Sequence, residues 1–497
     1  MTRVFATVIM MAMLLAPGIQ ARGESRVMTL DEVIDEARKT SVEAQMALNS
    51  MRASYWSYRN YRASLLPEIS FSATLPSFSQ RYSSYQNPDG TYDFIHSSVL
   101  EAGGQINITQ NIWATGGTLS MSTSLNFLRQ MGRNAYSRFM SVPVALRLDQ
   151  PIFAANSAKQ TRKTAPLQYR AAQIDYIVST ENLARTAMGL YFDLIIAREQ
   201  VEIQQKNLEN AKKLHEIAKV KREMGKISQN EVLQLELNAL NAQSALTSAE
   251  SGLTAASFEL TSFLGYEEDF EIIPQIPDRL PHIDVTFSEV YEMALRNSTH
   301  SISRRLSELA ADYSVASAKG NMRRIDLYAQ VGFTGTGDNI TGAYSPLQNN
   351  EVVSIGVQIP LVDWGKRRGQ VKVAESNREV TLARLRQEDT QFRQNIFLLV
   401  DRFNSQQRQV EIASVSDTIA QRRYDTNVAS FMMGKISTLD LDNSQTAKDN
   451  QRISYLTSLY QYWSYYYQIR SLTLHDFITH EDLFSVECLV LSDKIKQ

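Results

Sequence analysis

The pentapeptide Met224-Gly225-Lys226-Ile227-Ser228 recurs as Met433-Gly434-Lys435-Ile436-Ser437, and each copy stands between two long segments of helical character. A chain that repeats a whole plan must fold as two similar halves, a tighter constraint than composition imposes. The shift of 209 positions (224 to 433) also carries Leu148-Asp149-Gln150-Pro151-Ile152 onto Val357-Gln358-Ile359-Pro360-Leu361, so the duplication runs from a strand through a helix and round a turn. Upstream, Thr29-Leu30-Asp31-Glu32-Val33 matches Thr286-Phe287-Ser288-Glu289-Val290, and Ala37 matches Ala294, but at a shift of 257 (29 to 286). The difference, 257 less 209, places 48 extra residues in the first half between Ser41 and Leu148.

A length of 497 residues suggests about three domains on size alone. The repetition divides the chain differently: a leader over 1–23, a first repeat over 24–285, a second over 286–478 and a tail over 479–497. The leader is expected from Arg3, the apolar run Val4 to Ala16, Pro17-Gly18 and the small residues around Ala21-Arg22-Gly23, with cleavage near Ala21 or Gly23. No cysteine follows that run, so a lipid-anchored start is not expected; the only cysteine, Cys488, excludes an internal disulfide framework. The formal charge of −2, with both signs mixed throughout, gives no footprint for nucleic acid. Beyond the leader no run of about 18 apolar residues occurs, so any membrane crossing falls to strands.

Six segments alternate with period two. Ile69, Phe71, Ala73 and Leu75 are separated by Ser70, Ser72 and Thr74; Ile106, Ile108 and Ile112 are interleaved with Asn107, Thr109 and Asn111; Leu119, Met121, Leu125 and Phe127 with serines and Asn126. The others are Val142 to Leu148, Leu327 to Phe333 and Val353 to Leu361, interrupted by Arg147, Gln330, Ser354 and Gln358. Such a pattern fits a half-buried strand, and equally a strand with lipid on one side and a wet lumen on the other. Secretion and the lack of a layer to cover the apolar stripes favour the membrane. Trp113 and Trp364 near strand ends, with Tyr82, Tyr85 and Tyr92 around the first loop, suit interfacial girdles.

Gln370 to Met433 contains neither Gly nor Pro, and neither does the chain after Lys435. Helices from about Pro166 to Glu223 and from about Arg368 to Phe431 are therefore expected, rods rather than core helices. The return helix of the first half carries Val232, Leu235, Ala239, Ala242, Leu246, Ala249, Leu253, Ala256, Leu260 and Phe263 at alternating spacings of 3 and 4, a heptad seam in which alanines allow close approach. A second, more polar line runs through Leu233, Leu237, Leu240, Ser244, Thr247 and Ser251, so the helix has two faces to pack, as in the wall of a tube. An ordinary coiled-coil hairpin needs only one. At the tips, Gly225 and Gly434 suit a left-handed helix end, while Ser228 with Glu231 and Ser437 with Asp440 read as capping boxes that start the return helices.

The paired openings Leu30-Asp31-Glu32-Val33 and Phe287-Ser288-Glu289-Val290, the strand ends Asp149-Gln150-Pro151-Ile152-Phe153 and Gln358-Ile359-Pro360-Leu361-Val362-Asp363-Trp364-Gly365, and the two glycine tips together resemble the TolC-like outer membrane efflux protein family over nearly all of the mature chain. The resemblance implies a mainly α fold with membrane β: a homotrimer whose strands close one shared barrel in outer membrane lipid and whose helical hairpins form a periplasmic α-barrel. It also implies an export duct for efflux or type I secretion, served by a periplasmic adaptor protein and an inner-membrane transporter of the RND, ABC or MFS kind. In the family, residues six and nine positions beyond the tip glycine narrow the periplasmic entrance. These are Glu231 and Gln234 in the first half, and Asp440 and Asn443 in the second, where relatives carry a further Asp and this chain has Asp442 beside it. The extra residues, with a hairpin over about 98–130 turning at Gly116-Gly117, depart from the family pattern. They add strands to make 18 rather than 12 in a trimer, or stand outside the wall. Long connections are expected at about 86–97 and 132–141.

Enzymatic chemistry finds no support. His96, His215, His282, His300, His475 and His480 are scattered without metal-ligand spacing, and Gly335-Thr336-Gly337 reads as a loop rather than a phosphate cradle. No cofactor is expected. The remaining alternative is a secreted coiled-coil scaffold or adhesin with a sheet head, which would stay soluble without detergent.

Overall fold

The computed structural model describes residues 25–132, 135–267, 270–277, 281, 283–323, 325–357, 362–433 and 435–484. The expected leader, Gly434, the segment 358–361 and Cys488 lie outside the described residues. In the first repeat the chain forms β1 (Ser25–Met28), α1 (Leu30–Thr40), α2 (Val42–Ala63), β2 (Glu68–Gln86), β3 (Tyr92–Ile112), β4 (Gly117–Met131), β5 (Tyr136–Ile152), α3 (Ser157–Glu223), α4 (Gln229–Leu264) and β6 (Glu271–Pro274). The second forms α5 (Phe287–Asn297), α6 (Thr299–Met322), β7 (Ile325–Gly337), a short α7 (Ile340–Ala343), β8 (Leu347–Val357), α8 (Lys366–Met432) and α9 (Thr438–Thr473), followed by β9 (His475–Asp476) and β10 (Glu481–Asp482).

The duplication is metric. Both α3 and α8 have 67 residues, roughly 100 Å of helix, and both α4 and α9 have 36. Their starts differ by the same 209 positions (157 to 366, and 229 to 438). The opening helices α1 and α5, each of 11 residues, are likewise a pair. Helix α3 begins nine residues before Pro166, the start expected from the sequence. The start signal that prevails is Asn156, whose Oδ1 accepts the Lys159 N–H at 2.8 Å, and Pro166 sits inside the helix.

Two compact units emerge, and neither is a sequence repeat: one takes the chain up to Met51, Gln173–Ser298 and the chain from Phe392, the other Arg52–Ala172 and Thr299–Gln391. In the first, Met188, Tyr191, Phe192, Leu260, Phe403, Leu456, Tyr462 and Tyr466 form the buried core. Strands β1 and β6 pair in parallel from Ser25 with Glu271 to Met28 with Pro274. The Tyr191 hydroxyl fixes their ends: it lies 2.9 Å from the Met28 carbonyl and 2.8 Å from that of Gln275, and accepts the Gln275 N–H. Burial pushes its pKa up to about 12. Glu181, buried on α3, meets Arg38 of α1 at 2.7 Å and Arg470 of α9 at 3.1 Å. Arg470 also reaches Asp476, which accepts the Tyr466 hydroxyl at 2.5 Å. Desolvation raises the Glu181 pKa against the pull of both arginines.

The second unit holds one antiparallel sheet in the order β2-β3-β4-β5-β7-β8, open at β2 and β8 within the single chain. Ile69, Phe71, Ile106, Ile108, Met121, Leu146, Leu148, Leu327 and Ala329 share one face by register, with Ser70, Ser72, Asn107, Ser120, Ser122, Arg147 and Gln330 on the other. Two bulges interrupt the alternation, between Thr74 and Ser77 around Pro76, and between Val142 and Ala145 around Pro143. Proline has no N–H to give a ladder and is accommodated where pairing breaks. Val142 consequently joins the Ser122 face instead of continuing the Leu146 stripe as the uninterrupted alternation implied.

The outer connections are shorter than expected, because pairing continues to Gln86 with Tyr92 and to Gln130 with Tyr136. Gly335-Thr336-Gly337 is the end of β7, not a loop. Helix α7 explains its glycines: a Cβ at Gly335 would fall 2.0 Å from the Ala343 carbonyl oxygen, and one at Gly337 2.3 Å from the Gly342 carbon. Among the described residues no helix is long and apolar enough to cross a membrane.

Candidate functional site

The two hairpin tips are built alike. At the first, Gly225 adopts φ +71°, its N–H reaches the Arg222 carbonyl at 2.7 Å and the Lys226 N–H reaches Lys221 at 2.9 Å. These bonds satisfy carbonyls that the end of α3 would otherwise leave open. At the second, the corresponding Lys435 N–H reaches the Ser430 carbonyl at 3.0 Å. Each return helix then starts on a reciprocal box. Ser228 Oγ accepts the Glu231 N–H at 3.2 Å while the Ser228 N–H donates to Glu231 Oε2 at 2.7 Å. Ser437 Oγ accepts the Asp440 N–H at 3.2 Å and donates its own proton to Asp440 Oδ2 at 2.6 Å.

These bonds hold both acids ionised. The backbone N–H of Ser228 lowers the Glu231 pKa first and its hydroxyl second, while for Asp440 the Ser437 hydroxyl leads. Both carboxylates are solvent-exposed, and the cap engages Asp440 through Oδ2. Asn443 and Gln234 are exposed as well, Gln234 donating to Asn238 one turn further on at 3.1 Å. The capping role is thus complete within one chain, and it leaves the second carboxylate oxygen of Asp440 for another partner.

Glu231 and Ser437 line one groove between the tips, floored by Leu214, Ala218, Ile227, Phe431 and Ile436. The Lys221 ammonium lies 5.5 Å from the centre of the Phe431 ring and joins the two tips directly. Above the tips a polar belt ties the hairpins together. Asn207 donates to Asp449 at 2.7 Å, Asn210 to the Tyr424 hydroxyl at 3.0 Å, and Lys448 sits 4.7 Å from the Tyr424 ring. Arg452 binds Glu199 through two nitrogens at 2.9 and 3.1 Å and reaches Asp417 at 3.3 Å. Sequence reading missed this belt, and no local signal could have found it, since each partner comes from a different helix.

Two apolar stripes of this unit remain exposed. On α4, Leu233, Leu237 and Leu240 are 51, 51 and 64 % exposed, and on α8, Ile412, Val415 and Ile419 are each 59 % exposed. The α4 heptad seam, in contrast, packs inward, with Val232, Leu235 and Leu260 buried.

Among solved structures the chain is similar to the Campylobacter jejuni CmeC outer membrane channel, with a TM-score of 0.65 at 16 % identity over 94 % of this chain and 89 % of that one. It is also similar to the outer membrane protein VceC of Vibrio cholerae, with a TM-score of 0.59 at 14 % identity over 90 % and 95 %. These likenesses show the fold. By sequence it is 22 % identical to the outer membrane efflux protein BepC of Brucella suis over 313 residues, 61 % of this chain and 65 % of the length of that relative. The family signature of outer membrane efflux proteins matches residues 33–266 and 295–473, both repeats and most of the chain, and the protein belongs to that outer membrane family.

Proposed function

We propose that three copies of this chain form one export duct, a β-barrel in the outer membrane continued by a tube of helices in the periplasm. The observation that carries this reading is the open six-stranded sheet with one apolar face. An unpaired strand edge in lipid leaves backbone groups unsatisfied, so β2 and β8 must find partners on other copies. Six strands alternate in direction, which makes β8 of one copy antiparallel to β2 of the next and allows the ring to close. The exposed stripes of α4 and α8 support the same arrangement. They are unlike surfaces, suited to a head-to-tail contact that closes a ring rather than to a two-fold dimer.

At the entrance, three copies of Asp440, with Asn443 beyond it and Glu231 and Gln234 on the first hairpin, converge into a narrow, cation-attracting gate. The tips expose Met224, Met432, Met433 and Leu439, an adaptable apolar surface for a periplasmic adaptor that couples the duct to an inner-membrane transporter. Drug efflux and type I secretion both use such an arrangement.

Crosslinking in isolated outer membranes tests the assembly: a trimer extracted only by detergent is expected, and a soluble monomer would support the scaffold alternative instead. Planar-bilayer recording tests the gate. Asp440→Ala is expected to raise conductance and weaken cation block, whereas parental conduction from a normally assembled variant would leave Asp440 as a cap alone.

A further inference from the structure

We infer that the β3–β4 hairpin is a size-setting element of the outer membrane pore, raising the barrel to 18 strands and admitting bulkier solutes than a barrel of 12 could. This rests on the trimeric duct proposed above. The ladders place the hairpin inside the wall. Strand β3 pairs with β2 from Thr109 opposite Glu68 to Tyr92 opposite Gln86, and with β4 from Ile112 opposite Gly117 to Ser98 opposite Met131. Strand β4 in turn pairs with β5 from Thr118 opposite Asp149 to Gln130 opposite Tyr136. A hairpin standing outside the wall would leave β2 and β5 to pair with each other, and they do not.

The faces agree with that placement. Ile106, Ile108, Met121 and Phe127 continue the apolar side of Ile69 and Phe71, while Asn107, Ser120, Ser122 and Ser124 continue the polar side of Ser70 and Ser72. The periplasmic turn of the hairpin has a built seat. Asn156 Nδ2 donates to the Trp113 and Ala114 carbonyls at 2.9 and 3.2 Å, Gln150 Nε2 donates to that of Thr115 at 3.1 Å, and the Arg162 guanidinium lies 3.7 Å from the centre of the Trp113 ring. At the matching positions of the second repeat, 209 further on, stand Gly365, Ile359 and Val371, which offer none of these groups. The groups that seat the turn are thus missing from the matching positions of the second repeat, which has no such hairpin.

The size follows from strand spacing and tilt. Closing 18 strands about 4.8 Å apart at roughly 40° gives a backbone diameter of about 36 Å, against about 24 Å for 12. By register the polar side of the hairpin mixes the small Gly103, Ser120, Ser122 and Ser124 with Gln105, Asn107 and Asn126, and no aromatic side chain stands among these.

Cysteine accessibility in outer membranes tests the placement, in a Cys488→Ser background with a polar, membrane-impermeant maleimide. Asn107→Cys and Ser122→Cys are expected to label at least about ten times faster than Ile106→Cys and Met121→Cys, as Gln330→Cys does relative to Ala329→Cys on β7. Contrast on β7 with equal labelling of both faces on β3 and β4 overturns the inference and leaves the duct intact. Equal labelling on β7 too would remove the duct and the inference together. Deleting residues 91–135 joins β2 to β5, and the largest neutral polymer that enters the pore is expected to shrink, because the backbone diameter falls to about two-thirds while the lining side chains take the same width from both barrels. An unchanged cut-off in the assembled deletion variant would overturn the size-setting role.

Discussion

The two repeats agree in their rods and disagree in their strands. Helices of 67 and 36 residues recur at identical lengths, yet the first repeat supplies four strands to the sheet and the second two. A rod packed along its length against a sister rod cannot change length without uncoupling every contact beyond the change, so duplication preserves it. A sheet grows by a hairpin without altering the register of the strands on either side. The helical part is thus the gauge that both repeats keep, and the sheet is the part in which they differ.

The strongest expected break in the symmetry lies at Glu181. Its Ala substitution should cost about 3–5 kcal/mol, because Arg38 and Arg470 lose a buried counter-charge. The repeat-related Thr390 (181 plus 209) is exposed and bonds only along its own helix in the structure, so Thr390→Ala should cost under about 0.5 kcal/mol. Denaturant unfolding of the two variants in detergent checks the contrast; equal costs would make the buried cluster irrelevant.

Next in size is a lysine on the apolar face of the sheet. For the barrel proposed above, Leu146→Lys in the first repeat and Ala329→Lys in the second should each cost about 2–4 kcal/mol and reduce the amount of trimer on gels. Ser122→Lys and Gln330→Lys, on the opposite face, should leave the trimer in place. The tips should then behave alike: Ser228→Ala and Ser437→Ala each remove one cap at about 1 kcal/mol, read as equal increases in hydrogen exchange over the first turns of α4 and α9.

The smallest effect is on pH. Within one chain the Ser437 bonds lower the Asp440 pKa, so the stability it lends the cap is present above the ordinary Asp value and is lost as pH falls below about 4. Three converging carboxylates would repel and titrate higher. Cation selectivity that declines between about pH 6 and pH 4 would mark a ring of charges, and selectivity constant over that window would mark caps alone.

The rods were legible because helix breakers are missing over long stretches and the 3-and-4 spacing is sustained. The tips were legible because capping is local, with Ser228 and Glu231 three residues apart. The far ends of the strands were not. At Pro76 the bulge shifts the apolar residues from odd positions (Ile69, Phe71) to even ones (Phe78, Tyr82), so a search for unbroken alternation stops too early and turns paired strand into loop. Burial of Glu181 was hidden for another reason: its partners lie 143 residues upstream, at Arg38, and near the C-terminus, at Arg470. Nothing about a glutamate on a helix announces that two distant arginines enclose it.

Imaging the protein in lipid nanodiscs by electron cryomicroscopy tests the central claim most directly. In the three-copy duct proposed above each subunit supplies four long helices and six strands. Twelve helices above an 18-stranded barrel are expected. A wall of 12 strands, or particles that are not trimers, would contradict it.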